Sequence, residues 1–248
     1  MSRARDRRRR SESSRSGSSR SDETETKTGL RKWWPVWAIS AVVVVIALFA
    51  LAYFTPLLSV RKVSVLGLHS IPQEQVVSAL AVPDGRPLLR VDTNAAAKRV
   101  AQIPKVAQVR VQRDYPSSIK VTVTERTPVV FFDSPQGTHL LDATGVDYAI
   151  EPPPPGVPRL KVGNPGQGDP ATKAVLDVLA ATPPPLRVQV GEVAAKSISD
   201  IRLTLLDGRV VVWGSEEHSD RKAAVALPVL SQQGQTYDVS SPDLPTVK

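Results

Sequence analysis

The sequence predicts an α+β protein: one long apolar helix, then a small β-α-α-β-β unit, then a mixed β-sheet with flanking helices. Three observations lead there. Trp33 to Val60 is a run of uncharged residues long enough to hold a membrane-spanning helix. Period-2 and period-3.6 apolar patterns then alternate in the order strand, helix, helix, strand, strand. Beyond Pro128 the strand patterns dominate, punctuated by Asp-Gly and Asp-x-x-Gly turn signals.

The 248 residues carry a formal charge of +8, unevenly placed. Residues 1–32 hold eleven Lys/Arg against five Asp/Glu, whereas residues 61–248 hold 21 against 19, so the basic character belongs to the tail. That tail is mostly Ser, Arg, Glu, Asp, Thr and Lys, with nothing apolar to bury, and reads as a disordered basic segment over 1–32. Arg-rich tracts attract anionic headgroups or nucleic acid. With no aromatic residue before Trp33 to stack on bases, no nucleic-acid partner is expected.

Residues 33–56 form the expected transmembrane signal anchor. Val36 to Phe54 is 19 residues of apolar and small side chains broken by Ser40, close to the length that crosses a bilayer. Trp33, Trp34 and Trp37 mark one interface, Tyr53 and Phe54 the other, and Arg31 and Lys32 hold the N-terminal side in the cytoplasm. Ala50-Leu51-Ala52 has the form of a signal-peptidase site, but the preceding basic region and the apolar run are both too long for a cleaved leader. Ala38, Ala41, Ala47, Ala50 and Ala52 would also permit close approach of a second helix.

Beyond the anchor, Val60 to Val65 alternates as a strand and Gly67 ends it. Ser70, with Gln73 three residues on, has the spacing of a helix cap before Val76, Val77 and Leu80. Asp92 caps a second helix over Thr93 to Ile103, ended by Pro104. Val106 to Arg113 and Ile119 to Val123 alternate as strands around the turn Asp114-Tyr115-Pro116-Ser117. Further on come a strand–turn–strand at Gly137 to Tyr148, a helix from Pro170 to about Ala180, and a hairpin with Asp207-Gly208 as its two-residue turn. A helix with Ala223, Leu227 and Leu230 on one face then precedes a closing strand at Gln235 to Ser241 and an irregular tail over 242–248. Ten prolines between Pro152 and Pro185 stiffen the intervening loops.

Chemistry is missing from this inventory. Without cysteine there are no disulfides, thiolate-held metals or cysteine nucleophiles. His69, His139 and His218 stand far apart, no nucleophile motif or phosphate-binding loop occurs, and Asp142 and Asp147 read as turn residues. Glu216, Glu217 and Asp220 suit the first turn of a helix. No catalytic residue, metal or cofactor is expected.

Two segments carry a family resemblance. VSVLGLHSIPQEQV, from Val63, resembles the opening of a POTRA module. PKVAQVRVQRDYPSSIKVTVTERTPVVFF, from Pro104 to Phe132, resembles the hallmark segment of the bacterial FtsQ/DivIB cell-division family, through Pro104, Val106, Arg113, Pro116, Glu125, Arg126 and Pro128. The resemblance extends over about 55–247 and suggests an actinobacterial-like source. It implies a POTRA domain at 57–127 and an FtsQ-type β-domain at 128–241. It also implies a single-pass type II protein of the cell membrane at the division septum, acting as a divisome scaffold. Implied partners are the coiled-coil proteins FtsB (DivIC) and FtsL, and through them FtsW and FtsI of septal peptidoglycan synthesis.

The expected docking element is the last strand, with Thr236, Tyr237, Asp238, Val239, Ser240 and Ser241 as partner-binding residues. Tyr237 and Val239 point one way, and Thr236, Asp238 and Ser240 point the other. The segment has no lysine and no internal proline, so it lacks the usual devices that blunt a free edge, and Pro242 stops it. A partner strand would add through backbone hydrogen bonds. Ser241 stands where the family places a contact side chain, here only a small hydroxyl. Arg221 and Lys222, with Arg202 and Arg209, would meet acidic partner residues at the rim. Glu125, Arg126 and Pro128 would set the angle between the domains. Val60 to Val65 offers a second edge near the membrane. Competing readings are a POTRA-bearing membrane-anchored assembly or translocation factor, which calls for repeated POTRA units or a barrel, and an anchored hydrolase, which needs a nucleophile.

Overall fold

The computed structural model of the chain describes residues 34–54 and 58–248. The expected disordered tail therefore lies outside the described residues, as do both ends of the expected anchor.

Helix α1 runs from Trp34 to Phe54, and Trp37, Ile39 and Val42 to Ile46 expose their side chains. Its side chains are described only at 37–47 and 50, and no helix of the described residues is long and apolar enough to cross a membrane. The span thus rests on the sequence.

The β-α-α-β-β order is present as β1 (Lys62–Leu66), α2 (Gln73–Leu80), α3 (Thr93–Val100), β2 (Val106–Asp114) and β3 (Ser118–Glu125). The sheet order is β1-β3-β2, with β1 parallel to β3 and β2 antiparallel to it. Alternation along β3 sends Ile119, Val121 and Val123 inward against Val76 and Leu80 of α2 and Ala96 and Val100 of α3. Asp92 caps α3 as expected, accepting from the Asn94 and Ala95 N–H groups. Three local expectations are corrected. The helix from Thr93 ends at Val100, with turns completing it to Ile103. Val60 belongs to no strand, because its N–H and C=O bond the 85–86 loop. Ser70 does not cap α2; Pro72 holds that position, and the Ser70 hydroxyl donates to Glu125.

The second sheet has nine strands among the described residues. They are β4 (Val130–Ser134), β5 (Gly137–Leu141), β6 (Asp147–Ile150), β7 (Arg159–Lys161), β8 (Val190–Ala195), β9 (Ile201–Leu205), β10 (Val210–Gly214), β11 (Thr236–Asp238) and β12 (Thr246–Val247). Their order is β12-β11-β10-β9-β8-β7-β4-β5-β6, with parallel pairing at β10/β11, β7/β8 and β4/β7. Helices α4 (Pro170–Ala181), α5 (Pro184–Arg187) and α6 (Ser219–Leu230) complete the domain. Val175, Val178 and Leu179 of α4 and Ala223, Ala226 and Val229 of α6 share one core with Val193, Leu203, Val211 and Trp213.

Two further corrections concern this sheet. The β9–β10 connection is longer than a two-residue turn. Leu205 N–H donates to Arg209 C=O, Gly208 N–H donates back to Leu205, and Gly208 sits at φ +90°, a conformation that favours glycine. The tail 242–248 is not wholly irregular, since Thr246–Val247 forms β12 against β11.

Candidate functional site

The C-terminal edge is assembled from β10, α6, β11 and β12. Strand β11 is shorter than the expected 235–241, ending at Asp238, but the alternation continues past it: Tyr237 and Val239 are fully buried, and Thr236, Asp238, Ser240 and Ser241 face outward or to the rim. Tyr237 is fixed at both ends. Its hydroxyl lies 2.8 Å from both the Gln232 and the Gly234 carbonyl oxygens, which share its one proton, and the Arg209 guanidinium lies 5.7 Å from its ring centre. Asp238 Oδ1 accepts from the Ser240 N–H and hydroxyl. One potential donor of the edge is thereby capped locally.

The expected open edge of β11 is covered. Thr236 N–H donates to Lys248 C=O at 2.9 Å, Lys248 N–H returns to Thr236 at 2.8 Å, and Gln235 N–H also reaches Lys248 at 2.7 Å. Tyr237 faces Val247 and Asp238 faces Thr246 in antiparallel register. The free edge of this end of the sheet is therefore that of β12, and Ser240 and Ser241 extend past the pairing. Pattern along 235–241 could not reveal this cover, because it comes from residues on the far side of Pro242 and Pro245.

The basic rim divides. Arg221 is exposed and pairs with Asp243. Lys222 is corrected: its ammonium is buried and donates to the Ser215 carbonyl at 2.8 Å, so it meets no partner. Burial lowers its pKa, opposed by the Glu217 charge. Helical periodicity explains the difference, since Ala223 and Ala226 place Lys222 beside the buried stripe. Arg202 and Arg209 pair with Asp200 and Asp207.

At the other end of the sheet, Glu125 and Arg126 do different jobs. Glu125 accepts from the N–H groups of His69, Ser70 and Ile71 and from the Ser70 hydroxyl, tying the β1–α2 loop to the end of β3 within the first domain. Burial works to raise its pKa, but these donors outweigh it and hold the carboxyl at about 2. All of these partners lie within the first domain, and the loop they fix, at Ser70 to Pro72, faces Tyr148 to Glu151 of the second. Arg126 does bridge the domains. It donates to the Pro104 carbonyl and to Asp142, whose Oδ1 also accepts from the Thr144 and Val146 N–H groups. Burial pushes the Asp142 pKa up, and the Thr144 and Arg126 hydrogen bonds bring it below the ordinary carboxylate range. Lys105–Glu151, at 2.7 Å, is a second clasp, and Pro128 is half-buried between the domains' strands. Asp142 is the turn residue that the sequence predicts, and its second role depends on Arg126 arriving from the other domain.

His139 pairs with Asp147 at 2.6 Å and stacks on Phe132, His69 lends its backbone to Glu125, and His218 precedes α6. Among the described residues no group of His, Cys, Asp and Glu is placed to hold a metal ion.

A β-α-α-β-β module joined by an ion-pair clasp to a mixed sheet with a short terminal strand defines, by class, a POTRA-bearing protein with a C-terminal β-domain. Comparison with known proteins agrees. Residues 58–126 match the FtsQ-type POTRA domain, and residues 131–244 match the C-terminal domain of cell division protein FtsQ/DivIB. Cell division protein FtsQ of Mycolicibacterium smegmatis is 54% identical over 213 residues, 86% of this chain and 64% of that protein. Its counterpart in Mycobacteroides abscessus is 52% identical over 205 residues, 83% of this chain and 66% of the relative. Cell division protein FtsQ of Corynebacterium glutamicum is 34% identical over 213 residues, 85% of this chain and 96% of the relative. The chain spans just under two thirds of the length of the mycobacterial relatives it matches. It belongs to the FtsQ/DivIB family of bacterial cell-division proteins.

Proposed function

We propose that this chain is a membrane-anchored scaffold of the divisome. In this reading residues 1–32 lie in the cytoplasm and 33–56 cross the cell membrane once, with the POTRA domain (57–127) and the β-domain (128–241) outside, at the septum. The C-terminal edge docks the ectodomains of FtsB/DivIC-like and FtsL-like proteins and so bears on septal peptidoglycan synthesis by FtsW and FtsI. The role is one of binding, with no reaction catalysed.

The observation that carries the docking site is the edge itself. The large sheet ends in a strand of two residues whose outer side pairs with no strand among the described residues. Its Thr246 is exposed, as are Ser240 and Ser241 nearby, and no lysine lies within β11 or β12, Lys248 standing at the end of the ladder. Main-chain groups on such an edge can bind an extended segment with little demand on side chains, which suits Ser241. Family membership supports partners within the division machinery.

Photo-crosslinking in dividing cells tests this. A photoreactive amino acid at Ser241 or Thr246 is expected to capture the FtsB/DivIC-like protein, and one at exposed Ile150, on the opposite edge strand β6, is not. Capture from Ile150 with none from Ser241 or Thr246 would refute the assignment of the edge.

A further inference from the structure

We propose that β12 is an internal stand-in for the partner, so that docking at this edge is a strand exchange in which residues 242–248 leave β11 and an incoming segment takes their place. The inference deepens the docking reading above and rests on it.

Three features point this way. First, the cover is slight. Pairing of 246–248 with 235–238 is bounded by Pro245, which lacks an N–H, and Leu244 projects into solvent with 79% of its surface exposed. Beyond the ladder and Val247, the tail is held by one backbone bond, Leu244 N–H to the Ser241 carbonyl, and by Arg221–Asp243, whose side chains are 60% and 73% exposed, where ion pairs add little. Second, what β12 covers is a prepared site. Tyr237 is already locked by Gln232, Gly234 and Arg209, none of which belongs to the tail, so removing β12 leaves the floor in place. Third, the seat has a shape. Val247 packs against the core beside Gly234, where a Cβ would stand 2.3 Å from Val247 Cγ1 and 3.1 Å from the Lys248 carbonyl oxygen. Gly234 therefore makes room for whatever side chain pairs across from Tyr237.

The seat also describes its partner. It takes an extended segment running antiparallel to β11. Opposite Tyr237 that segment places a small β-branched apolar residue, as Val247 does, and opposite Asp238 a polar residue, as Thr246 does. A segment without the two prolines of 242–245 can continue alongside Val239 to Ser241, where the tail cannot follow, with the Ser240 N–H exchanging Asp238 Oδ1 for an incoming carbonyl. This longer ladder gives the incoming strand its advantage over the resident one.

The chain has no cysteine, so a single disulfide can lock the exchange. Asp238→Cys with Thr246→Cys joins directly opposed residues, a spacing that accepts a disulfide. The full chain in lipid nanodiscs is titrated with the ectodomain of the cognate FtsB/DivIC-like protein, oxidised and then reduced. Exchange predicts that oxidation weakens binding by about 100-fold and that reductant restores it, since only the open fraction of the edge can bind. Val247→Ala, which weakens the resident strand and leaves the seat beside Gly234 open, is expected to tighten binding by about 3- to 10-fold. Equal affinity of the oxidised and reduced forms would overturn the exchange and place the incoming strand on the outer side of β12. The docking reading would survive that result if Ser241 or Thr246 still crosslinks, and would fall if neither does.

Discussion

The junction near Arg126 and the edge at β12 are both places where one segment is held against another, and they are held by opposite means. At the junction, Arg126 and Asp142 are mostly buried, and Asp142 has donors from its own turn as well as from the arginine. Beside them, Glu125 gathers three backbone N–H groups and a hydroxyl. At the edge, a two-residue strand lies on a few backbone bonds beside a solvent-exposed ion pair. Charges withdrawn from water leave an unpaired ion if one partner goes, so such contacts resist opening. Backbone bonds at an exposed edge can be exchanged for equivalent ones with a partner or with water. One contact is suited to permanence, the other to replacement.

That contrast can be broken or sharpened by substitution. The largest effect is expected at Arg126→Ala, which strands Asp142 and costs about 3 kcal/mol in urea unfolding. Asp142→Asn combined with it should cost little more than the single change, because the two belong to one contact. An additive double variant would show that the clasp is not a unit. Next comes Glu125→Gln, expected to cost about 1–2 kcal/mol at neutral pH, since the site is only part-buried. Here pH supplies a signature. The folded carboxyl is held at about 2 from an ordinary 4.5, so its stabilisation is complete above pH 4.5 and is lost as pH falls towards 2. The gap between wild type and Glu125→Gln should therefore close across that window, and a gap unchanged by pH would refute the role given to the ionised carboxylate. The smallest effect belongs to Arg221→Ala at the edge, within about 0.5 kcal/mol by thermal unfolding. A loss as large as that at Arg126 would mean that the edge is as fixed as the junction.

Much of this was legible in one dimension. Periodicity located both helices and all three strands of the first domain, and Asp92 announced its cap, because each signal needs only neighbours a few residues apart. The POTRA and FtsQ-type character was likewise readable from Pro104 to Phe132, and the family comparisons agree. In the second domain β8 escaped notice, since Val190–Ala195 follows a proline-rich loop and carries Gly191 in its pattern. Asp207-Gly208 marks the place of the hairpin turn but not its length, with Gly208 serving as the left-handed residue of a longer loop.

The misreadings at the site share one cause. Tyr237 and Val239 share one buried face, as their alternation predicts, because alternation is a property of the local chain alone. Whether that strand was an open edge depended on residues 246–248 folding back beyond two prolines. Whether Lys222 was a rim charge depended on how α6 met the sheet, and whether Glu125 or Arg126 spanned the domains depended on which held Asp142. Short-range order follows from steric and apolar periodicity, which a linear pattern records. Edge cover, burial of a single charge and the choice of ionic partner follow from distances between segments far apart in the chain, and those are set when the sheets pack.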